Sequence, residues 1–253
     1  MAEPADDSVI VLGKRTPEDA KEPSAKRRKV PEPSYTGLEM IISGGQHGAD
    51  RGALVAAERL GIKTGGVAPI NFWTCGGPCP ELGTRFGLSE LKCGATPPPP
   101  PGVQYIMRSK RNVDGSDGTV AFRVYDSRGT DCTIGYCLTG KWKVLSKPEQ
   151  ECINRPTTSI KLAATPDGSW TISRIAPTPG VTCARKPLLV IRSVRTVEER
   201  TAWPAAAKSL VDFVKKHSIR VLNVAGHRSE NIGSEWEKTI TAFLEYALGK
   251  IAD

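Results

Sequence analysis

LEMIISGGQHGADRGALVAAERLG, residues 38–61, changes periodicity twice within one run. LEMIIS (38–43) is an apolar run of strand length, GGQHG (44–48) is a glycine turn, and ADRGALVAAERLG (49–61) sets Ala, Leu and Val on one helical face before stopping at Gly61. A buried strand passing through a tight turn into an amphipathic helix is half of a βαβ unit. Downstream the same grammar repeats. TGGVAP (64–69) reads as a second strand, VQYIM (103–107) as a short strand, SKRNVDGSD (109–117) as a helical turn and GTVAF (118–122) as a buried strand. DCTIGYCLTG (131–140) reads as a helix, KPLLVI (186–191) as a strand, PAAAKSLVDFVKKHS (204–218) as a helix, RVLNVAG (220–226) as a strand and SEWEKTITAFLEYALGKI (234–251) as a closing helix. Strands alternating with helices predict a Rossmann-like α/β fold, a parallel sheet with helices on both faces, over residues 37–253.

Two segments break the alternation. Residues 71–101 are irregular and end in the five prolines Pro97–Pro101, which read as a stiff extended spacer. Residues 141–185 contain IKLAA and SWTISRI around the turn TPDG, which predicts a β-hairpin inserted into the α/β domain.

Residues 1–36 are rich in Pro, Glu, Lys and Ser without hydrophobic periodicity, which predicts a disordered tail. The chain has a net charge of +8, but the tail adds nothing to it: Lys14, Arg15, Lys21, Lys26, Arg27, Arg28 and Lys29 are offset by Glu3, Asp6, Asp7, Glu18, Asp19, Glu22 and Glu32. The basic excess therefore lies in the body, where it suits an anionic ligand. No basic stripe interleaved with aromatic residues accompanies it, so a small anion is expected rather than nucleic acid. Within the tail, Lys26, Arg27, Arg28 and Lys29 form a cluster of the kind that nuclear import receptors grip, which makes such a receptor an expected partner. No stretch nears the roughly 18 apolar residues that cross a bilayer, and the acidic start precedes only a very short apolar run. The expected location is the nucleus or cytoplasm, with no membrane partner.

Seven cysteines at irregular spacings point to reduced thiols rather than a disulfide framework. Cys75, Cys79 and Cys93 are spaced poorly for structural zinc, and His47, His217 and His227 are the only histidines to complete such a set, so no metal site is expected.

The chemistry gathers at strand ends. Gly44, Gly45 and Gly48 follow a buried strand and open a helix, where backbone N–H groups and the helix dipole favour an anion. This is neither G-x-G-x-x-G nor a Walker loop, so neither a dinucleotide nor a kinase-type triphosphate follows. Asp50 can cap the helix, and Arg51 can bind phosphate or pair with a carboxylate. Polar loops also flank GTVAF, at Asp117-Gly118-Thr119 and Asp126–Thr130, and follow RVLNV, at Asn223, Gly226, His227 and Arg228. In an open parallel sheet the carboxyl ends share one crevice, so these loops are expected to converge.

SGGQHGADRGAL, TGGVAP, NVDGSDGTVAF, RGTDCT, KPLLVI and LNVAGHRSE, in this order, resemble the putative molybdenum cofactor carrier family over about residues 38–251, the insert excepted. That family is similar to a Rossmann-like superfamily that includes the Lonely Guy enzymes. The resemblance implies an α/β fold, homo-oligomers, and an anionic pterin or nucleotide at the glycine-rich loops. Carried over, the cofactor-binding positions are Gly44, Gly45, Gln46, Gly48, Ala49, Asp50 and Arg51, then Asp117, Gly118 and Thr119, Gly129 and Thr130, and Asn223, Gly226 and Arg228. His47 stands where the family usually has Thr, and INFWTCGGPCPELGTRFG (70–87) replaces a basic segment, so one wall of the pocket differs.

Two functions follow from different chemistry. A carrier or binding protein for the molybdenum cofactor or a nucleotide needs only backbone donors and arginines. A nucleotide N-glycosidic hydrolase, or a nucleotide sensor, of the Lonely Guy-like type is the alternative, and hydrolysis needs a carboxylate beside the ribose. SRGTDCTIGYC (127–137) lacks the leading glycines and the glutamate of the Lonely Guy motif P-G-G-x-G-T-x-x-E, which leaves Asp50, Asp117 or Asp131 as substitutes and favours binding, with no catalytic residue assigned.

Overall fold

A computed structural model describes residues 37–94, 96–142, 144, 160–164, 170–175, 186–195 and 200–249. The expected tail, residues 1–36, and its basic cluster lie outside them.

The opening unit forms as its sequence dictates. β1 (Met40–Ile42) leads through the glycine turn into α1 (Ala49–Arg59) and on to β2 (Lys63–Gly65). β2 was expected to run unbroken through residues 64–69, but Gly66, at φ +120°, turns the chain out of the sheet. A side chain there would also strike the Ser43 carbonyl. β3 (Val67–Ala68) therefore joins a separate small sheet with β6 (Ser89–Glu90). Between them lie the two-stranded β4 (Trp73–Thr74) and β5 (Gly77–Pro78), and the single-turn α2 (Glu81–Thr84). This segment has its own small core, in which Leu82, Phe86 and Leu88 pack with Leu54 and Ala68.

The run expected to be a strand at 103–107 is instead part of α3 (Pro101–Asp114). Proline at the first helical position costs no hydrogen bond, so the proline run delivers the chain into a helix. Its inward face is polar: Gln104, Arg108 and Asn112 recur at i, i+4 and i+8. Gln104 accepts from the Ile70 amide at 3.0 Å, and Asn112 accepts from the Val67 amide at 2.7 Å, so α3 is held by side-chain to backbone bonds.

The later elements follow expectation except for a short helix at Ser229–Ile232, which the sequence pattern does not predict. They are β7 (Gly118–Phe122), α4 (Arg128–Thr139), the hairpin β8 (Ile160–Ala164) and β9 (Trp170–Ile175), β10 (Leu188–Ile191), α5 (Trp203–Lys216), β11 (Val221–Gly226), α6 (Ser229–Ile232) and α7 (Trp236–Gly249). The main sheet has the order β2-β1-β11-β7-β10-β9-β8. Its first five strands are parallel, and the inserted hairpin extends the sheet through antiparallel pairing of β9 with β10.

β7 and β10 are buried along their whole length because helices cover both faces. Val120, Phe122, Leu189 and Ile191 face a core built with α1, α5 and α7, where Phe122 meets Trp236 and Phe243 edge to face. Ala121, Leu188 and Val190 face the other way, onto Val113 of α3 and Ile134, Cys137 and Leu138 of α4. No helix among the described residues is long and apolar enough to cross a membrane.

Candidate functional site

The carboxyl ends of β1, β7 and β11 open into a cavity of about 880 Å³. α3, the start of α4 and the loop after β11 close its sides. Loop 46–49 is stitched to loop 227–229: the Ala49 amide donates to the His227 carbonyl and the Ser229 amide to the His47 carbonyl, each at 3.0 Å. Of the positions expected to bind a ligand, Gln46, Asp50, Gly129, Thr130, Asn223, Gly226 and Arg228 line this space.

The others are placed differently. Gly44 sits beneath the Arg108 guanidinium, which a side chain at Gly44 would overlap. Gly45 packs on Leu82. At Gly48, φ +114° and the backbone of residues 227–229 leave no room for a side chain. The Gly48 amide faces the Glu237 carboxylate at 3.3 Å and Ala49 is bonded to His227, so a protein carboxylate already occupies the first turn of α1. Arg51 turns away to Glu81 at 2.7 Å and Glu237 at 3.8 Å. Asp117 and Gly118 lie at the amino end of β7, opposite the cavity, where the Asp117 carboxylate accepts from the Arg220 and Val221 amides at 2.9 and 2.8 Å. Thr119 is buried within β7 and accepts from the Asn223 amide group at 3.1 Å.

Arg108, Tyr125 and Trp142 also line the cavity although the sequence does not single them out, beside Arg128 of the polar loop 126–130 and the expected Arg228. Arg108 pairs with the buried Asp50 at 3.0 Å, and its Nε has no hydrogen-bond partner among the described residues. Arg128 stands exposed at the start of α4 and forms no ion pair with another described residue. Arg228 lies over the Tyr105 ring at 5.5 Å. Tyr125 and Trp142 add aromatic surface.

Arg123 fixes the wall behind them. It is buried at the carboxyl end of β7, and its Nε donates to the buried Asp131 in the first turn of α4 at 2.5 Å. Asp131 is thereby tied to a cation, as Asp50 is to Arg108. The amides at the start of α4 stay near the cavity, and Gly129 has open space where a side chain would stand.

His227 is neutral for a geometric reason. Its Nε2 accepts from the Val124 amide at 3.1 Å and lies 3.4 Å from that of Tyr125, so the ring proton sits on Nδ1. Burial, reinforced by the Arg123 charge, pushes its pKa from 6.5 down to about 4. Unfolding releases the ring to bind a proton near its ordinary value, so stability is full above that value and falls as pH drops toward the folded one. The expected loss between about pH 7.5 and about pH 5 is about 2 kcal/mol. Burial also pushes His217 down, with the same sign. Urea unfolding at both pH values checks this, with His227→Gln expected to remove most of the difference and an unchanged slope in the variant contradicting it.

Cys75, Cys79 and Cys93 are free and half-buried, and the Cys79 sulfur accepts from Arg51 at 3.5 Å. Among the described residues no group of three or more His, Cys, Asp or Glu side chains is placed to hold a metal ion.

Fold and cavity together define a Rossmann-like α/β protein whose crevice lies at the carboxyl edge of its parallel sheet. Residues 41–162 match the circularly permutated YpsA SLOG family. The crystal structure of a putative molybdenum carrier protein from Syntrophus aciditrophicus superposes with a TM-score of 0.54 at 25% identity, over 84% of this chain and 96% of that one. Both findings support the family resemblance read from the sequence. No curated protein matches the chain.

Proposed function

We propose that the cavity binds a phosphate-bearing small molecule, the molybdenum cofactor or a nucleotide, and that the protein acts as a carrier or binding protein. One observation carries this reading: Arg108, Arg128 and Arg228 meet the opening turn of α4 in a single cavity. Guanidinium groups and a helix N-terminus both recognise phosphate, and they need no catalytic partner to do so. The family match and the carrier-type neighbour support the same class of ligand. For the molybdenum cofactor the arginines and α4 would hold the terminal phosphate. The cofactor's metal and dithiolene chemistry would stay with the cargo. A calorimetric titration with ribose phosphate tests the reading. Saturable, salt-sensitive binding at one site per chain is expected, and no heat of binding at millimolar probe would refute it.

We also propose that Lys26, Arg27, Arg28 and Lys29 address the protein to the nucleus through an import receptor. A reporter fused to residues 1–36 is expected to accumulate in nuclei and to lose that accumulation when the four are changed to alanine. A reporter that stays cytoplasmic refutes it. Assembly of copies belongs to the same proposal and is read from the mass in solution.

A further inference from the structure

The run Pro97–Pro101 leads into α3, and the helix itself uses only the proline at its first position. Every residue from Thr96 to Pro100 precedes a proline, which drives its backbone into extended or polyproline II geometry, and the proline ring fixes φ at the value that helix needs. Pro100, at φ −55° and ψ 152°, has that geometry. Polyproline II repeats every three residues, so Pro97 and Pro100 share one edge, Pro98 and Pro101 share a second, and Pro99 stands on the third. Exposure divides the same way: Pro97, Pro98, Pro100 and Pro101 are exposed, and only Pro99 is half-buried. The Pro99 carbonyl accepts from the Gln104 side chain at 2.7 Å, and before the run the Lys92 carbonyl accepts from Arg111 at 2.5 Å, so α3 holds the segment at two points. Among the described residues no backbone hydrogen bond reaches the Pro97 or Pro98 carbonyl. Val103, just past the run, is 43% exposed and adds apolar surface there.

We propose that residues 97–101 are a docking ligand for a partner protein domain whose aromatic-lined groove reads a polyproline helix. Such a groove takes two of the three edges of the helix between its aromatic rings and donates hydrogen bonds to the proline carbonyls, which have no N–H groups of their own to satisfy. The exposed edges and the Pro97 and Pro98 carbonyls are what it needs, and the half-buried edge is the one it leaves alone. Because the segment is already stiff and tied to α3, docking costs little ordering entropy. Gly94, Ala95 and Thr96 on one side and Gly102, Val103 and Gln104 on the other carry no charge, so the groove that fits reads prolines without a salt bridge to a flanking residue. The surface is independent of what the cavity binds.

The test titrates the full chain into an isotope-labelled EVH1 domain and, separately, a labelled WW domain, following the resonances of the aromatic groove. Saturable shifts with at least one of them are expected below about 1 mM chain, and the affinity should change less than about two-fold between low and high salt. Pro97→Ala and Pro98→Ala, one on each exposed edge, are each expected to weaken binding about ten-fold. Pro99→Ala loosens the backbone by the same amount but leaves both edges intact, and about two-fold or less is expected from it. Urea unfolding of the three variants should match wild type, since the prolines at 97 and 98 are exposed. Absence of shifts with both domains, or binding that the Pro97 and Pro98 variants leave unchanged, overturns the proposal. Equal losses at all three positions, or an affinity that collapses with salt, likewise overturn it, because the two edges would then not be what the groove reads.

Discussion

Replacing Arg123 with alanine is expected to lower the unfolding free energy by about 3–5 kcal/mol, because it strands a buried carboxylate. Arg123 and Asp131 are 4% and 2% exposed, and the guanidinium reaches both carboxylate oxygens, through Nε to Oδ1 and through Nη2 to Oδ2 at 3.3 Å. Alanine would leave Asp131 buried in the first turn of α4 without its directly bonded cation, with the helix terminus and the charge of Arg192 compensating in part. Substituting both partners, Arg123→Met with Asp131→Leu, removes the orphan and is expected to recover most of the loss. Denaturant unfolding measures both variants. A single-variant loss below about 1 kcal/mol would mean that the pair does not anchor α4 to the sheet.

Arg128→Ala is expected to weaken binding of ribose phosphate by about 10- to 150-fold, the equivalent of the 1.5–3 kcal/mol typical of a charge-assisted bond. Arg228→Ala is expected to cost somewhat less, since Glu230 lies 3.6 Å from its guanidinium and already draws on the charge. Both arginines are exposed, so unfolding free energies should stay within about 0.5 kcal/mol of wild type, which separates a binding defect from a folding one. The wild-type affinity should also fall more steeply with salt than that of the Arg128 variant. Calorimetry at two salt concentrations decides it. An affinity change under about two-fold would place the phosphate elsewhere in the cavity.

The legible and illegible parts of the site divide by the kind of signal each leaves. Strands such as GTVAF and LLVI are apolar on both faces, and their burial in a parallel sheet follows from that alone. Periodicity likewise revealed α5 and α7, whose apolar stripes face the core. α3 escaped because its inward face is Gln104, Arg108 and Asn112, a stripe that a hydrophobic period cannot detect. Arg108, which covers Gly44 and pairs with Asp50, was missed for the same reason. The glycine loop was visible, but whether its amides were free was not. Glu237 is distant in sequence and reaches Gly48 only through tertiary packing. Asp117 looked equivalent to the residues after β7, yet it precedes the strand, and in a parallel sheet the two ends face opposite sides.

The most direct measurement is of what the protein carries. The chain, purified from a host that makes the molybdenum cofactor, would be denatured, and the released small molecules identified by mass spectrometry alongside metal analysis. The expected result is a phosphate-bearing ring compound near one per chain that is depleted in the variant lacking both Arg128 and Arg228. Release of no phosphate compound, or equal release from that variant, would contradict a phosphate-binding cavity at the carboxyl edge of the sheet.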